Sequence, residues 1–124
     1  MTHFSYIIFV CSFLLVFTLS CEQQDIQNTT VQEVKQLITT GHDYDIIDVR
    51  TPKEFSEGSI PGSKNIDVKN ENFLLDIEKL NKNAKYIVYC RSGKRSSKAY
   101  GMMTKAGFVN LLNMEGGYLA YSAE

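Results

Sequence analysis

The sequence predicts a single α/β domain in which helices cover both faces of a parallel central sheet. Residues 45–49 and 86–89 are short apolar runs of the kind that form buried strands. Segments whose apolar residues recur at helical spacing lie before, between and after these runs. Because strands and helices alternate, right-handed crossovers bring the strands together in parallel, and ligands of such sheets bind at the carboxyl ends of the strands.

The first half of the domain contains two helices that begin at capping boxes. Thr30 and Glu33 form the first box, and Thr51 and Glu54 form the second, with a proline at the first helical position. A glycine follows each helix and ends it. The apolar residues predicted to line the buried face of the first helix are Val31, Val34, Leu37 and Ile38.

The rest of the domain continues the alternation of short strands and helices. A turn at residues 60–62 leads to a strand near residues 64–67, and a helix capped by Asn70 follows. The strand at residues 86–89 comes next, then a loop over residues 90–95 and a helix over residues 96–106 that ends at Gly107. The last elements are a strand over residues 109–112 and a short helix that Gly116 and Gly117 open and that runs to Tyr121. The apolar faces predicted for the two longer helices are Phe73, Leu74, Ile77 and Leu80, and Tyr100, Met103 and Ala106.

The first 20 residues contain no Lys, Arg, Asp or Glu, and 14 of them form an almost wholly apolar run. A helix that spans a bilayer needs about 20 apolar residues, so this run has the length of a signal-peptide core instead. Ser20 and Cys21 follow it, which resembles a bacterial lipoprotein signal. An ordinary secretory signal and an uncleaved anchor are the alternatives. The predicted parts are a signal over residues 1–20 with cleavage before Cys21, a lipid on Cys21, a flexible tether over residues 21–28, and a domain over residues 29–124. This organisation places the domain outside the cytoplasm, on the periplasmic or cell-envelope side, held at a membrane.

The cysteine count bears on the chemistry of the domain. Cys11 lies within the predicted signal and Cys21 carries the lipid, so Cys90 is the one thiol left. This excludes a disulfide within the mature domain and disfavours a cysteine-based metal site, because His42 is the only remaining soft partner. We therefore expect no metal or cofactor, and an unpaired cysteine in an exported domain indicates a reactive thiol. The net charge of −1 offers no bulk attraction for nucleic acid.

Residues 90–96 read Cys-Arg-Ser-Gly-Lys-Arg-Ser and follow the second apolar strand. Three effects favour the thiolate of Cys90: the positive end of the following helix, converging N–H groups of a tight loop, and three nearby cations. Together they should lower the pKa of the thiol below its free value of about 8.5. No base is apparent beside it, so the chemistry depends on a sulfur that its surroundings already ionise. The loop residues predicted to surround the sulfur are Arg91, Ser92, Gly93, Lys94 and Arg95, with a solvated surface side chain as the alternative for Arg91.

Four blocks of this sequence resemble the rhodanese (thiosulfate sulfurtransferase) family in its single-domain form, over roughly residues 29–121. The blocks are Ile-Ile-Asp-Val-Arg at residues 46–50, Glu54-Phe55 with Gly-Ser-Ile-Pro-Gly at residues 58–62 and Asn65-Ile66, Val-Tyr-Cys-Arg-Ser-Gly-Lys-Arg-Ser at residues 88–96, and Gly-Gly-Tyr at residues 116–118. No block is decisive alone, but four in this order and spacing are highly specific.

The resemblance implies a single rhodanese-like domain and a sulfurtransferase activity. Cys90 would accept a sulfane sulfur from thiosulfate, polysulfide or a related anion and become a persulfide, and a thiol or cyanide would then remove that sulfur. The loop cations would attract and orient the donor. Asp48 and Arg50 match the strand-end pair of the family and would support the loop as an ion pair.

Two other functions stay open at this point. A sulfur-carrier or sensing module with little turnover would use the same cysteine. Phosphatases of the same fold carry a Cys-x5-Arg loop, whereas Cys90 to Arg95 is Cys-x4-Arg, a shorter cradle that suits one sulfur atom. The oligomeric state is left open.

Overall fold

The computed structural model describes residues 25–124, so the predicted signal and Cys21 lie outside the described residues. Five strands and five helices follow one another in this part of the chain. The strands are β1 (Asn28–Thr29), β2 (Tyr44–Asp48), β3 (Lys64–Asn65), β4 (Lys85–Tyr89) and β5 (Asn110–Met114), and the helices are α1 (Val31–Thr40), α2 (Pro52–Ser56), α3 (Phe73–Glu78), α4 (Lys94–Lys105) and α5 (Gly117–Ala123). None of these helices is long and apolar enough to span a bilayer.

All five strands are parallel and lie in the order β1-β5-β4-β2-β3. The central strand is β4, so its carboxyl end opens between the ends of β5 and β2. The parallel α/β fold predicted from the alternation of strands and helices is confirmed.

The two faces of the sheet are covered separately, because successive residues of a strand point to opposite faces. Ile46 and Ile87 pack on one side with α1 and α5, whereas Ile47 and Val88 pack on the other with α3 and α4. Each of these four side chains is at most 4% exposed. The sheet therefore supports two cores, and its edge at the carboxyl ends stays free for a site.

Both capping boxes form as predicted. The Thr30 hydroxyl accepts from the Glu33 N–H at 3.2 Å, and the Glu33 carboxylate accepts from the Thr30 N–H at 2.8 Å. At α2, the Thr51 hydroxyl accepts from the Glu54 N–H at 3.3 Å, and the Glu54 carboxylate accepts from the Thr51 N–H at 3.0 Å. These bonds satisfy amides at the first turn of each helix that have no partner within it.

Strand β1 has no counterpart among the predicted elements, and its first residue was assigned to the tether. It is held by hydrogen bonds from the Asn113 N–H to the Gln27 carbonyl at 2.8 Å and from the Glu115 N–H to the Thr29 carbonyl at 3.0 Å. A strand of two residues is too short to contain an apolar run from which it could be predicted. The edge of β5 determines this pairing, so only the tertiary structure reveals it.

Helix α3 is shorter than predicted, and Leu74 is not on its buried face. Asn70 forms a turn in which its side chain accepts from the Asn72 N–H at 2.9 Å, so the helix begins at Phe73. Six residues allow one buried row, which Phe73 and Ile77 occupy, and Leu74 is 51% exposed.

Candidate active site

Cys90 directly follows β4, the central strand, and only 1% of its surface is exposed. It is the free cysteine of the described residues. Helix α4 begins at Lys94, two residues earlier than predicted, so the loop proper is only residues 91–93. Lys94 and Arg95 are therefore part of the first helical turn, and a loop of three residues turns the chain tightly around the sulfur.

Hydrogen bonds converge on the sulfur. The Gly93 N–H donates to Cys90 Sγ at 3.0 Å, and the thiol lies 3.4 Å from the Ser96 hydroxyl. Burial opposes ionisation, but the hydrogen bonds of the Ser96 hydroxyl and of the Ser96, Gly93 and Ser92 amides outweigh it, so the pKa of Cys90 lies below its ordinary value. The predicted direction of the shift is thus supported, but donors of the loop and first helical turn lead it rather than the three cations.

Gly93 gives the loop its shape. Its φ of +113° is in a region that side chains rarely adopt, and this turn aims its N–H back at the sulfur. Space is not the constraint, because a Cβ at this position would approach no atom closer than 4.0 Å. The Gly93 carbonyl in turn accepts from the Ser96 hydroxyl at 3.0 Å and from the Ser97 hydroxyl at 2.8 Å.

The start of α5 lies directly behind the loop. The Tyr118 N–H donates to the Cys90 carbonyl at 2.8 Å, and the Leu119 N–H donates to the Arg91 carbonyl at 3.0 Å. Gly117 makes this approach possible, because a Cβ there would lie 2.5 Å from the Arg91 oxygen and 2.6 Å from the Cys90 oxygen. We predicted Gly117 only as the opening of a helix, although the Gly-Gly-Tyr block was the signal of a constrained contact.

Asp48 and Arg50 form the expected ion pair at the end of β2. Arg50 Nη2 lies 2.7 Å from Asp48 Oδ2, both residues are at most 4% exposed, and the guanidinium also donates to the Gly58 carbonyl at 2.6 Å. The same guanidinium lies 4.3 Å from the centre of the Tyr118 ring. The pair therefore reaches the Cys90 carbonyl through Tyr118, from behind the loop.

The three loop cations do not act alike. Arg91 and Lys94 are exposed and, among the described residues, make no ion pair within 4 Å. Arg95 instead donates two hydrogen bonds of 2.7 Å to Glu54 of α2, one to each carboxylate oxygen. Arg95 is thus already paired with a carboxylate in the structure, and its role in attracting an anionic donor stays a prediction. The sequence places Glu54 in the cap of α2 and in the second of the four blocks but does not pair it with Arg95, since a partner 41 positions along the chain has no signal in the sequence.

A shallow cavity of about 170 Å³ opens beside the loop, lined by Arg50, Glu54, Glu57, Arg91, Tyr118 and Leu119. We call it the mouth. A larger cavity of about 490 Å³ lies between α1 and β5 and contains none of the predicted site residues. The mouth, not the larger cavity, adjoins the sulfur loop.

Comparison with known proteins agrees with this geometry. Residues 30–124 match the family model of the rhodanese-like domain. The chain belongs to the rhodanese family. It is 33% identical over 114 residues to thiosulfate sulfurtransferase 18 of Arabidopsis thaliana, covering 82% of each chain, and 28% identical over 91 residues to a sulfurtransferase of Allochromatium vinosum, covering 73% of this chain and 83% of the other. A solved rhodanese-like domain protein of Staphylococcus aureus superposes with a TM-score of 0.70 at 30% identity, covering 77% of this chain and 91% of the other.

The described part of the rhodanese domain holds no group of three or more His, Cys, Asp or Glu side chains placed to bind a metal ion. The candidate site consists of the sulfur of Cys90, the amides and hydroxyl that favour its thiolate, and the exposed cations Arg91 and Lys94 that follow it in the chain. The transfer of a sulfur atom from one soft nucleophile to another requires groups of these kinds.

Proposed function

We propose that this rhodanese domain transfers a sulfane sulfur from thiosulfate, or a related sulfur anion, to a thiol or cyanide through a persulfide on Cys90. The thiolate attacks the outer sulfur of thiosulfate, a new S–S bond forms, and the old S–S bond breaks as sulfite leaves with its electron pair. Cyanide or a thiolate then attacks the outer sulfur of the persulfide. The Cys90 thiolate leaves, and thiocyanate or a new persulfide is released.

The observation that carries this proposal is the environment of the sulfur. The Gly93 N–H donates to Cys90 Sγ, the thiol lies in hydrogen-bond contact with the Ser96 hydroxyl, and the pKa of the thiol is lowered without a neighbouring base. A thiolate is both the nucleophile of the first step and the leaving group of the second, so one stabilised state serves both. Arg91 and Lys94 are the exposed cations that would attract an anionic donor.

The test is mass spectrometry of the purified protein after incubation with thiosulfate, followed by addition of cyanide. We expect Cys90 to gain the mass of one sulfur atom and cyanide to remove it as thiocyanate, repeatedly. A Cys90→Ser variant should do neither. A variant as active as the parent would refute the mechanism, sulfur uptake without thiocyanate release would indicate a carrier, and phosphate release from a phosphoester would favour the phosphatase.

We further propose that the protein is exported and held at a membrane by a lipid on Cys21. The support is in the sequence alone: an uncharged apolar run of signal length followed by Ser20 and Cys21. Cells grown with labelled palmitate should yield labelled protein, and a Cys21→Ser variant should lose the label. Label that persists in the variant would refute lipidation at this position.

A further inference from the structure

The ion pair between Glu54 and Arg95 links two elements at the mouth. Glu54 belongs to α2, which buries none of its residues, and Arg95 is the second residue of α4, five positions after Cys90. The two side chains are 27% and 20% exposed, so solvent screens their contact less than it screens a pair on the open surface. Both hydrogen bonds are 2.7 Å long, in the paired geometry that matches a guanidinium to a carboxylate.

Glu54 is held in place before it meets the arginine. Its Oε2 accepts from the Thr51 N–H at 3.0 Å and from the Thr51 hydroxyl at 2.9 Å, as part of the capping box of α2. Arg95 therefore meets a carboxylate that the fold has already oriented. The hydrogen bonds to Arg95 are the first cause that keeps the pKa of Glu54 well below its usual range, so the carboxylate stays charged at neutral pH.

Arg95 also interacts electrostatically with the sulfur of Cys90. Its pKa is raised, first by the hydrogen bonds to Glu54 and then by attraction to Glu54 and to the sulfur of Cys90. Without a carboxylate partner, a guanidinium in this position would attract an approaching anion with a full positive charge. Glu54 compensates that charge, just as Asp48 compensates Arg50, which also lines the mouth.

We propose that Glu54 is a specificity-determining residue that acts through Arg95: it keeps the positive charge around Cys90 low and so reduces the preference of the site for highly charged sulfur donors. This rests on the proposed sulfur transfer. With Arg95 and Arg50 both paired, Arg91 and Lys94 are the loop cations that remain for the donor. Such a site favours singly charged donors, such as persulfides and hydrogen polysulfides, more than one with three free cations would.

The test measures charge selectivity at Cys90 without any sulfur transfer. Cys90 is alkylated in separate experiments by anionic iodoacetate and by neutral iodoacetamide. The rate with iodoacetate divided by the rate with iodoacetamide reports the electrostatic potential at the sulfur. In the full-length protein, a Glu54→Gln variant should raise this ratio about two- to fivefold, and the increase should shrink in high salt. Glutamine also completes a capping box, so α2 should remain folded.

The matched control is Glu78→Gln. Glu78 pairs with Lys82 at 2.9 Å, so this change also removes a carboxylate from a salt bridge, but at the last residue of α3, on the chain segment that leads to the start of β4 rather than to its end. It should leave the ratio unchanged. An equal ratio in the Glu54→Gln and Glu78→Gln variants would overturn the inference, because the effect would then be one of net charge.

A pair of further variants decides the matter even if Glu54→Gln folds poorly. Arg95→Gln leaves the carboxylate uncompensated and should lower the ratio, whereas the double variant Glu54→Gln/Arg95→Gln should return it to the parent value. A double variant as low as Arg95→Gln would show that Arg95 itself contacts the anion, which would refute the inference. If the ratios behave as expected but no thiocyanate forms, the electrostatic inference stands and the proposed function fails.

Discussion

Replacing Gly117 with alanine tests how far the start of α5 holds the sulfur loop. Gly117 has a φ of +60°, and alanine in a left-handed conformation costs about 1–2 kcal/mol. The added Cβ would also lie 2.5 Å from the Arg91 oxygen, closer than real contacts allow, and forced overpacking costs about 1–3 kcal/mol more. We therefore expect a loss of roughly 2–5 kcal/mol in the free energy of unfolding.

The assay combines urea unfolding with the alkylation rate of Cys90. In a parallel thermal unfolding experiment, each kcal/mol corresponds to about 4–8 °C in Tm for a domain of this size, so the melting temperature should fall by at least about 8 °C. The clash is with the backbone of Cys90 and Arg91, so the loop must move and the Gly93 N–H loses its alignment with the sulfur. Alkylation near neutral pH should therefore slow.

Gly62→Ala is the matched control. Gly62 has a φ of +79° in a turn closed by the Ser63 N–H and the Ile60 carbonyl at 3.0 Å, and no atom lies within 4 Å of the position of its Cβ. This variant should lose only the conformational part, about 1–2 kcal/mol, and should keep the parent alkylation rate. Equal losses of stability in the two glycine variants, with equal reactivity, would refute the role given to Gly117.

Three further predictions follow from the same contacts. Ser96→Ala should slow alkylation of the active-site thiol several-fold at a pH of about 6–7, because the hydrogen bond between the Ser96 hydroxyl and the sulfur, the first of those that lower the pKa of the thiol, is lost, whereas Ser97→Ala, whose hydroxyl contacts only the Gly93 carbonyl, should not. Asp48→Asn leaves a buried guanidinium unpaired and should cost about 3–5 kcal/mol in urea unfolding; a cost below about 1 kcal/mol would contradict it. The lowered pKa of Glu54 makes its stabilising contribution complete above the unfolded value of about 4.3 and lost as the pH falls below it, so Glu54→Gln should flatten the acid side of the stability profile, measured by urea unfolding at each pH.

Local signals in the sequence predict most of the fold. Capping boxes at Thr30 and Thr51 are complete within four residues, and both form as written. The apolar runs at residues 45–49 and 86–89 are long enough to be recognised as buried strands, and a residue of the candidate site, Arg50 or Cys90, directly follows each. A reactive cysteine at the end of a central strand is therefore accessible to sequence reasoning, because chain neighbours supply its environment.

Other parts depend on partners that lie far away in the chain. Arg95 has the same local signal as Lys94, and only the fold brings Glu54 to it across 41 positions. The start of α4 at Lys94 was missed because no side chain caps it, and Gly93, in a left-handed conformation, takes that place. The role of Gly117 likewise comes from two carbonyl oxygens at its Cβ position, which no spacing rule reveals.

The short strand β1 determines at which edge of the sheet the chain enters the domain. It runs parallel to β5, so the chain enters from the edge of the sheet where the strands begin, whereas Cys90 lies where β4 ends. Five residues of strand separate these two edges by about 17 Å. If the proposed lipid on Cys21 is present, the chain that carries it would join the domain at the edge of the sheet opposite Cys90, so the anchor and the candidate site would not compete for the same face.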